Sequence, residues 1–310
     1  MQDLQTMSSL RRACAEIKPD MVLAYTVKPV IWGGIAAHGV DGLKFFAMIE
    51  GLGYSFQANS WKKKVLNRIV EFLYKISLSR AEKVIFLNRD NEKEFLNRNI
   101  IHYSKGVVID GIGVNLEKFY PSRFFSCDPV FLSIGRLLGE KGFREFALAA
   151  KLVKQKYPQA KFQILGGEDP SSDSISIKEI KTWENQAWVE YLGETTDVRP
   201  FLEACSVYVL ASYHEGMPRT VMEAMAMGRP VITTDAVGCR DTVQKGRNGF
   251  IVPVKDALSL AERMIWFIEH RNQVEKMGQE SRRIAEERFD VRIINQQIME
   301  IMGLESRALP

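Results

Sequence analysis

The sequence predicts an α/β protein built on two doubly wound parallel sheets. Short runs of β-branched and aromatic residues alternate with amphipathic helical stretches along all 310 residues, and this alternation is typical of parallel sheets. The length fits about two domains, and a segment flanked by prolines, residues 121–129, separates two series of strands. We therefore predict a first domain at residues 1–124, a second at 125–289, and a terminal helix at 290–310 that crosses back to the first domain.

The first series alternates four strands with four helices. Each predicted strand is a short apolar run bounded by turn residues, and each helix carries apolar residues three and four positions apart. The strands are Met21–Thr26, Leu43–Ile49, Lys83–Leu87 and Gly106–Asp110. The helices are Leu4–Ile17, Val30–His38, Trp61–Arg80 and Asp90–Arg98. Because a complete domain of this type usually has more strands and does not open with a helix, we expect this Rossmann-like domain to lack its N-terminal strands.

The second series is longer and ends in a helical tail. Its predicted strands are Val130–Ile134, Phe162–Leu165, Val189–Leu192, Val207–Leu210, Val231–Thr234 and Phe250–Val252. Its predicted helices are Gly142–Lys156, Val198–Ala204, Arg219–Met227, Ala257–His270, Gln273–Arg288 and Val291–Met302. A strand followed by a helix throughout indicates a second Rossmann-like domain.

Composition excludes several classes of protein. Four cysteines are scattered without C-x-x-C spacing or pairing with the four histidines, which argues against a disulfide framework or a structural zinc site. No apolar run approaches the ~18–20 residues that span a bilayer. The start of the chain is polar and typical of an amphipathic helix rather than a signal peptide. We therefore expect a cytoplasmic protein without a metal.

The most informative segment follows the predicted strand Val207–Leu210. Glu215 and Glu223 stand eight positions apart and bracket a Gly-x-Pro turn that opens a helix. In open α/β sheets, ligands bind at the carboxyl ends of strands, where helix N-termini present free N–H groups. Carboxylates accept hydrogen bonds from hydroxyls. The segment therefore predicts a site for an anionic ligand that carries hydroxyl groups.

Two cations follow the first strand of the second series. Arg136 and Lys141 lie between Gly135 and Gly142, whose flexibility allows sharp turns. An arginine grips phosphate oxygens in bidentate fashion and a lysine adds a compact charge. Together with the helix N-terminus they would neutralise a diphosphate without a metal. The alternative is a solvent-exposed loop with ordinary surface cations.

These motifs together resemble the family-4 retaining glycosyltransferases of the GT-B architecture, two Rossmann-like domains that face each other across a cleft. The matching pieces are Gly135–Gly142, Leu192-Gly193, Ser212–Glu223, Ala224–Pro230, Gly238–Asp241 and Asn248–Phe250. The runs Gly51–Phe56 and Ala224–Pro230 are similar to those of bacterial enzymes that build capsule, O-antigen or lipid-linked oligosaccharide. These enzymes include the undecaprenyl-diphosphate-sugar N-acetylgalactosaminyl transferases.

The resemblance implies a donor site with three catalytic residues, Arg136, Lys141 and Glu215. The two cations would hold the donor diphosphate, and Glu215 would contact hydroxyls of the donor sugar. The other donor-binding residues are implied to be Gly135, Gly216, Met217, Pro218, Thr220, Val221 and Glu223. Among them, Thr220 and Val221 would present helix amides to phosphate, and Glu223 would accept the ribose hydroxyls.

The resemblance also implies the reaction. A hexose or N-acetylhexosamine would leave a UDP-linked donor with retention, and the departing phosphate would take the acceptor's proton, so neither a protein nucleophile nor a cofactor is required. The acceptor would be a polyprenyl-diphosphate-linked saccharide. Residues on the acceptor side or in the cleft would be Glu50, Gly51, Gly53 and His214. Glu50 stands where many family members place a histidine.

The basic helix Trp61–Lys75 carries aromatic residues and predicts binding to an anionic membrane surface. Residues 1–120 hold 17 Lys and Arg against 12 Asp and Glu, so the basic excess lies in this first part of the chain. The alternative is a surface helix whose apolar face packs on the sheet. We expect a peripheral position on the inner face of the membrane and no nucleic-acid partner.

Three other functions remain open at this point. A non-catalytic nucleotide-sugar-binding subunit, or a truncated pseudoenzyme, would explain the missing opening strand and histidine. A GT-B-type epimerase would require acid/base carboxylates in the first domain, where Glu50 is the one obvious candidate. A nicotinamide-dependent dehydrogenase would require a G-x-G-x-x-G after an early strand, and none is present.

Overall fold

A computed structural model describes residues 2–51, 61–122 and 129–304. The chain divides into two compact units. The first comprises the residues up to Gly111 together with those from Ile294 onward, and the second is Ile112–Ile293. The predicted division lay at residue 124, inside a stretch that now belongs to the second unit.

The first unit holds a parallel sheet whose described strands follow the order of the chain, β1-β2-β3-β4. These strands are β1 (Met21–Tyr25), β2 (Lys44–Ile49), β3 (Lys83–Phe86) and β4 (Gly106–Val108). The helices before the second unit are α1 (Gln2–Ile17), α2 (Val27–Ala37), α3 (Trp61–Leu78) and α4 (Arg89–Asn97). The core lies between sheet and helices, where the rings of Tyr74 and Phe95 meet edge to face at 5.1 Å.

Helix α2 begins three residues earlier than predicted. The prediction started it at Val30, whereas the helix begins at Val27. Pro29 therefore occupies the first turn, where a missing N–H breaks no helical hydrogen bond.

The second unit holds a six-stranded parallel sheet in the order β10-β9-β8-β5-β6-β7. Its strands are β5 (Val130–Ile134), β6 (Lys161–Leu165), β7 (Glu190–Tyr191), β8 (Val207–Leu210), β9 (Val231–Thr234) and β10 (Gly249–Val252). The chain winds outward from β5 in one direction and from β8 in the other. The sheet is therefore doubly wound, with its switch point between β5 and β8.

The described residues after Ile112 also form seven α-helices. They are α5 (Phe143–Lys156), α6 (Ile177–Asn185), α7 (Arg199–Ala204), α8 (Arg219–Ala226), α9 (Ala257–Glu269), α10 (Arg271–Arg288) and α11 (Val291–Met302). Phe131 and Phe162 stack at 5.2 Å in the core of this unit, and Phe146 packs against Phe162. The two parallel sheets confirm the predicted α/β fold class.

Helix α6 is absent from the prediction. Its segment carries apolar residues every three positions, Ile177, Ile180 and Trp183, a helical spacing that the prediction did not use. A second signal is local: Ser176 accepts a hydrogen bond from the backbone N–H of Glu179 at 3.2 Å, and Ser-x-x-Glu is the sequence of a capping box.

Candidate active site

The candidate site lies at the switch point of the second sheet. Strands β5 and β8 are neighbours and parallel, so the loops that follow them, residues 135–142 and 211–218, leave the same edge of the sheet. Ligands of open α/β sheets bind outside the carboxyl ends of the strands at such a point. The two segments singled out by the sequence are these two loops.

An ion pair joins the loops. Lys141 Nζ lies 2.6 Å from Glu215 Oε1, and the two side chains are only 15% and 16% exposed. Attraction between charges is stronger in such a shielded position than in open water. The structure thus brings together two of the three residues predicted to be catalytic.

A glycine after Lys141 allows the two loops to meet. Residues Gly139–Lys141 form a short 3-10 turn that ends at Gly142, whose φ is 73°. A side chain there would place its Cβ 2.1 Å from the backbone oxygen of Ala211. Only glycine combines the left-handed conformation with this close approach.

Backbone hydrogen bonds hold the Glu215 loop from both sides. The N–H of Tyr213 donates to Glu140 O at 2.8 Å, and the N–H of Glu215 donates to Val237 O at 2.9 Å. Val237 follows β9, and next to it a Cβ on Gly238 would lie 2.4 Å from Gly216 O. The Glu215 backbone is therefore fixed by the loops that follow the strands on either side of β8.

Arg136 shares the loop of Lys141 but contacts a different carboxylate. Its Nη1 lies 2.6 Å from Asp169 Oδ2, and the arginine is 68% exposed. A hydrogen bond from the backbone N–H of Ser171, with Arg136 as a weaker influence, lowers the pKa of Asp169. Asp169 was not among the predicted site residues, although it is the second residue after the Gly-Gly that follows a predicted strand, and a carboxylate in such a loop is a recognisable signal.

Glu223 lies on α8 and is buried, with 6% of its surface exposed. Burial raises the pKa of its carboxyl, and Arg219 and Lys118 act in the opposite direction. Arg219 Nε lies 3.0 Å from Glu223 Oε1. Arg219 was not among the predicted site residues, although its spacing of four positions from Glu223 on a helix favours contact.

The N-terminus of α8 follows Pro218, and no side chain caps it. The N–H groups of a first helical turn have no acceptor within the helix. The N–H of Val221 donates to Pro218 O at 3.1 Å; its contact with a phosphate stays a prediction. The hydroxyl of Thr220 lies 2.7 Å from that of the buried Tyr208, which ties the start of α8 to β8.

The remaining predicted residues are distributed over both units. Met217 and Pro218 are buried, whereas Gly135, Gly216 and His214 are partly exposed. The backbone oxygen of His214 accepts a hydrogen bond from the Ser212 hydroxyl at 3.2 Å.

Two of the residues assigned to the acceptor side belong to the first unit. Glu50 and Gly51 directly follow β2 and are partly exposed. Gly53 lies outside the described residues. No group of three His, Cys, Asp or Glu residues in the described ranges could hold a metal ion; that the reaction needs no metal stays a prediction.

The arrangement offers charge of both signs at one edge of the sheet. A cation and a carboxylate are paired and shielded, a second cation stands exposed on the same loop, and a second carboxylate is buried on the helix that begins there. Such a set can bind a molecule with phosphate at one end and hydroxyl groups at the other.

Two family models match the chain. Residues 116–284 match the model described as "Glycosyl transferases group 1". Residues 1–88 match the model described as "Glycosyl transferase 4-like". Together these matches cover parts of both units.

Curated relatives share roughly a quarter of their residues with this chain. An N,N'-diacetylbacillosaminyl-diphospho-undecaprenol alpha-1,3-N-acetylgalactosaminyltransferase of Campylobacter jejuni is 29% identical over 279 residues, which are 86% of this chain and 72% of the relative. The capsular polysaccharide biosynthesis glycosyltransferase CapM of Staphylococcus aureus is 24% identical, over 94% of this chain and 78% of the relative.

Solved structures of similar fold confirm the two-domain architecture. HepE of Anabaena, solved in complex with UDP, superimposes with a TM-score of 0.80 at 22% identity, over 96% of this chain and 81% of that one. Sucrose-phosphate synthase of Thermosynechococcus elongatus gives a TM-score of 0.81 at 23% identity, over 96% and 76%. At this identity the likeness concerns the fold alone.

Proposed function

The chain belongs to the group 1 glycosyl transferases, and we propose that it moves a hexose or N-acetylhexosamine, with retention, from a UDP-linked donor to a polyprenyl-diphosphate-linked saccharide. The observation that carries this proposal is the Lys141–Glu215 pair at the switch point of the second sheet, 2.6 Å apart. The pair places a cation for phosphate beside a carboxylate for sugar hydroxyls.

The proposed reaction exchanges one bond at the anomeric carbon. The bond from that carbon to the donor phosphate oxygen breaks, and the acceptor hydroxyl oxygen bonds to the same face. The acceptor's proton passes to the departing phosphate, and the nucleoside diphosphate leaves. Lys141 and Arg136 stabilise the charge that develops on this leaving group. Glu215, already held by Lys141, is suited to accept sugar hydrogen bonds rather than to attack carbon.

The acceptor class is supported by the relatives. The Campylobacter jejuni relative and a 25% identical Escherichia coli relative, a UDP-Gal:alpha-D-GlcNAc-diphosphoundecaprenol alpha-1,3-galactosyltransferase, both carry undecaprenol-linked acceptors in their names. The second name also states a UDP-linked donor. We propose the same acceptor and nucleotide classes for this chain, with no metal or other cofactor.

A donor screen tests the function. Purified protein is incubated with single UDP-sugars and an undecaprenyl-diphosphate-linked saccharide, and the mass of the lipid product is measured by mass spectrometry. We expect one donor to add one hexose or N-acetylhexosamine. Arg136→Ala should reduce UDP-sugar binding and product formation, whereas Arg144→Ala, which removes an exposed cation paired with Glu179, should not.

Two outcomes would contradict the proposal. Hydrolysis of every donor without a lipid product would show that the acceptor is not a polyprenyl-diphosphate-linked saccharide. Unchanged UDP-sugar binding by the Arg136→Ala variant would show that Arg136 does not bind the diphosphate.

We further propose that α3 rests on an anionic membrane surface at the cytoplasmic face. Four large apolar side chains, Trp61, Val65, Ile69 and Phe72, are each more than half exposed. Their spacing of three and four residues places them along one stripe of the helix. Such an exposed stripe on a soluble surface usually marks an interaction site.

The opposite side of α3 packs on the first unit. Tyr74 and Leu78 are almost fully buried there, so the stripe is a second apolar face and not the one that covers the core. Lys64 and Arg68 are exposed beside the stripe. Basic residues next to apolar ones favour an anionic lipid interface.

No helix among the described residues has the length and apolarity that a membrane crossing requires.

Vesicle sedimentation tests the α3 surface. We expect Phe72→Gln to weaken binding to phosphatidylcholine vesicles that contain phosphatidylglycerol by about tenfold or more, because burying one large apolar side chain contributes roughly 1.5–3 kcal/mol. Leu258→Gln is the matched control, since Leu258 and Phe72 are both 62% exposed. Equal binding by the wild type, Phe72→Gln and Leu258→Gln would show that α3 does not contact the lipid.

A further inference from the structure

The ion pair between Arg219 and Glu223 is oriented against the helix that carries it. Arg219 is the first residue of α8 and Glu223 the fifth. A cation near a helix N-terminus is disfavoured by the helix dipole, and an acid followed four residues later by a base is the more stabilising order. The pair is therefore poorly explained as a device for stabilising α8.

Glu223 is buried, yet two cationic groups near it favour its charged form. Arg219 contacts it from the same helix at 3.0 Å. Lys118, on the segment that opens the second unit, acts on it at longer range. The Tyr208 hydroxyl on β8 is neutral and donates a hydrogen bond to the Thr220 hydroxyl.

We propose that Arg219 is a positioning residue, which keeps Glu223 ionised and oriented so that its carboxylate accepts hydrogen bonds from the ribose of the bound nucleotide. The inference rests on the proposed function, in which Glu223 meets the ribose. Arg219 acts through Glu223 and does not contact the donor. A neutral carboxyl carries a proton on one of its two oxygens. That oxygen then donates a hydrogen bond, so the group can accept fewer hydrogen bonds from the ribose hydroxyls.

The competing role for Arg219 is direct contact with phosphate. Its guanidinium is 64% exposed, at a helix N-terminus where anions bind readily. The two roles differ in what they require of the ligand. Positioning of Glu223 matters only if the ligand has ribose hydroxyls, whereas a phosphate contact is independent of them.

Paired titrations with UDP and 2′,3′-dideoxy-UDP separate these roles. The affinity of each protein for both ligands is measured by calorimetry at pH 8 and pH 6. We expect Arg219→Met to weaken UDP binding roughly tenfold, which corresponds to about 1.4 kcal/mol, and to leave dideoxy-UDP binding unchanged. Arg219→Lys should recover part of the loss, because it restores a cation.

The pH dependence follows from the burial of Glu223. Since burial raises the pKa of this carboxyl and Arg219 opposes that rise, removal of Arg219 raises it further. Protonation of Glu223 then becomes more extensive as the pH falls. The preference of Arg219→Met for UDP over dideoxy-UDP should therefore shrink between pH 8 and pH 6, while that of the wild type changes less. Taking the ratio of the two ligands cancels protonation of the phosphate itself.

Two further variants make the outcomes distinct. Arg283→Met removes an arginine that also pairs with a glutamate four residues later, on α10, and should bind both ligands as the wild type does. Glu223→Gln should lose the preference for UDP. If Glu223→Gln keeps that preference, the ribose role in the proposed function is wrong. If it loses the preference but Arg219→Met does not, or if Arg219→Met weakens both ligands equally, the positioning role is overturned.

Discussion

Replacing Lys141 with methionine is expected to lower kcat/KM by about 10²–10³, the loss typical of removing one preorganised charge from the transition state. Lys141 pairs with Glu215 in a position where both are largely shielded from water. Its removal takes away one of the two cations proposed to stabilise the leaving group and leaves a shielded carboxylate without its partner. Steady-state kinetics with the donor found in the screen measures the effect.

A control for this variant comes from a cation beside the loop that carries Glu215. Lys255 lies over the ring of Tyr213, 4.9 Å from its centre, so Lys255→Met removes one charge without touching Glu215 and should retain activity. The double variant Lys141→Met/Glu215→Gln removes both charges, so no shielded carboxylate is left unpaired. It should therefore be more thermally stable than Lys141→Met but equally defective in turnover. Wild-type turnover by Lys141→Met would exclude the lysine from the chemistry.

The Gly142→Ala substitution is expected to destabilise the second unit by about 2–4 kcal/mol, because it combines an unfavourable left-handed backbone with a steric clash. The new Cβ would lie 2.1 Å from the backbone oxygen of Ala211, and a backbone atom cannot move aside as a flexible side chain can. Activity should fall as well, since the clash separates the loops that carry Lys141 and Glu215.

The chain supplies a matched control for this prediction. Gly246 has a φ of 80°, and a Cβ there would meet nothing within 4 Å. Gly246→Ala should therefore show only the backbone cost, about 1–2 kcal/mol. Thermal unfolding followed by circular dichroism compares the two variants; equal losses of stability would mean that the loop yields and that the close approach of Gly142 is unimportant.

Strands were the most predictable part of the fold. The predicted bounds of β5, β8 and β9 agree with the structure, because each is a short apolar run between turn residues in a sheet covered on both faces. Helix α6 was missed because it is only nine residues long, so the spacing of Ile177, Ile180 and Trp183 covers fewer than two helical turns. The second compact unit begins at Ile112, before the predicted linker, because the segment there pairs with residues distant in sequence: Val114 exchanges backbone hydrogen bonds with Phe289 and Val291.

The candidate site was predictable in its residue types but not in its pairings. The sequence places Arg136, Lys141 and Glu215 in two loops, and a doubly wound sheet brings such loops to one edge. Which carboxylate each cation meets depends on strand order and side-chain conformation, neither of which is local. Hence the contact of Arg136 with Asp169, 33 residues away on the loop after β6, was missed.

The backbone contact between Glu215 and the loop after β9 constrains protein engineering. Replacing only residues 211–218 with those of a relative that prefers another sugar would break the hydrogen bond from the Glu215 N–H to Val237 O. It would also disturb the close approach of the Gly216 carbonyl to Gly238. A graft that exchanges both segments as one cassette preserves their fit. Chimaeras of this second kind should fold more often than those of the first.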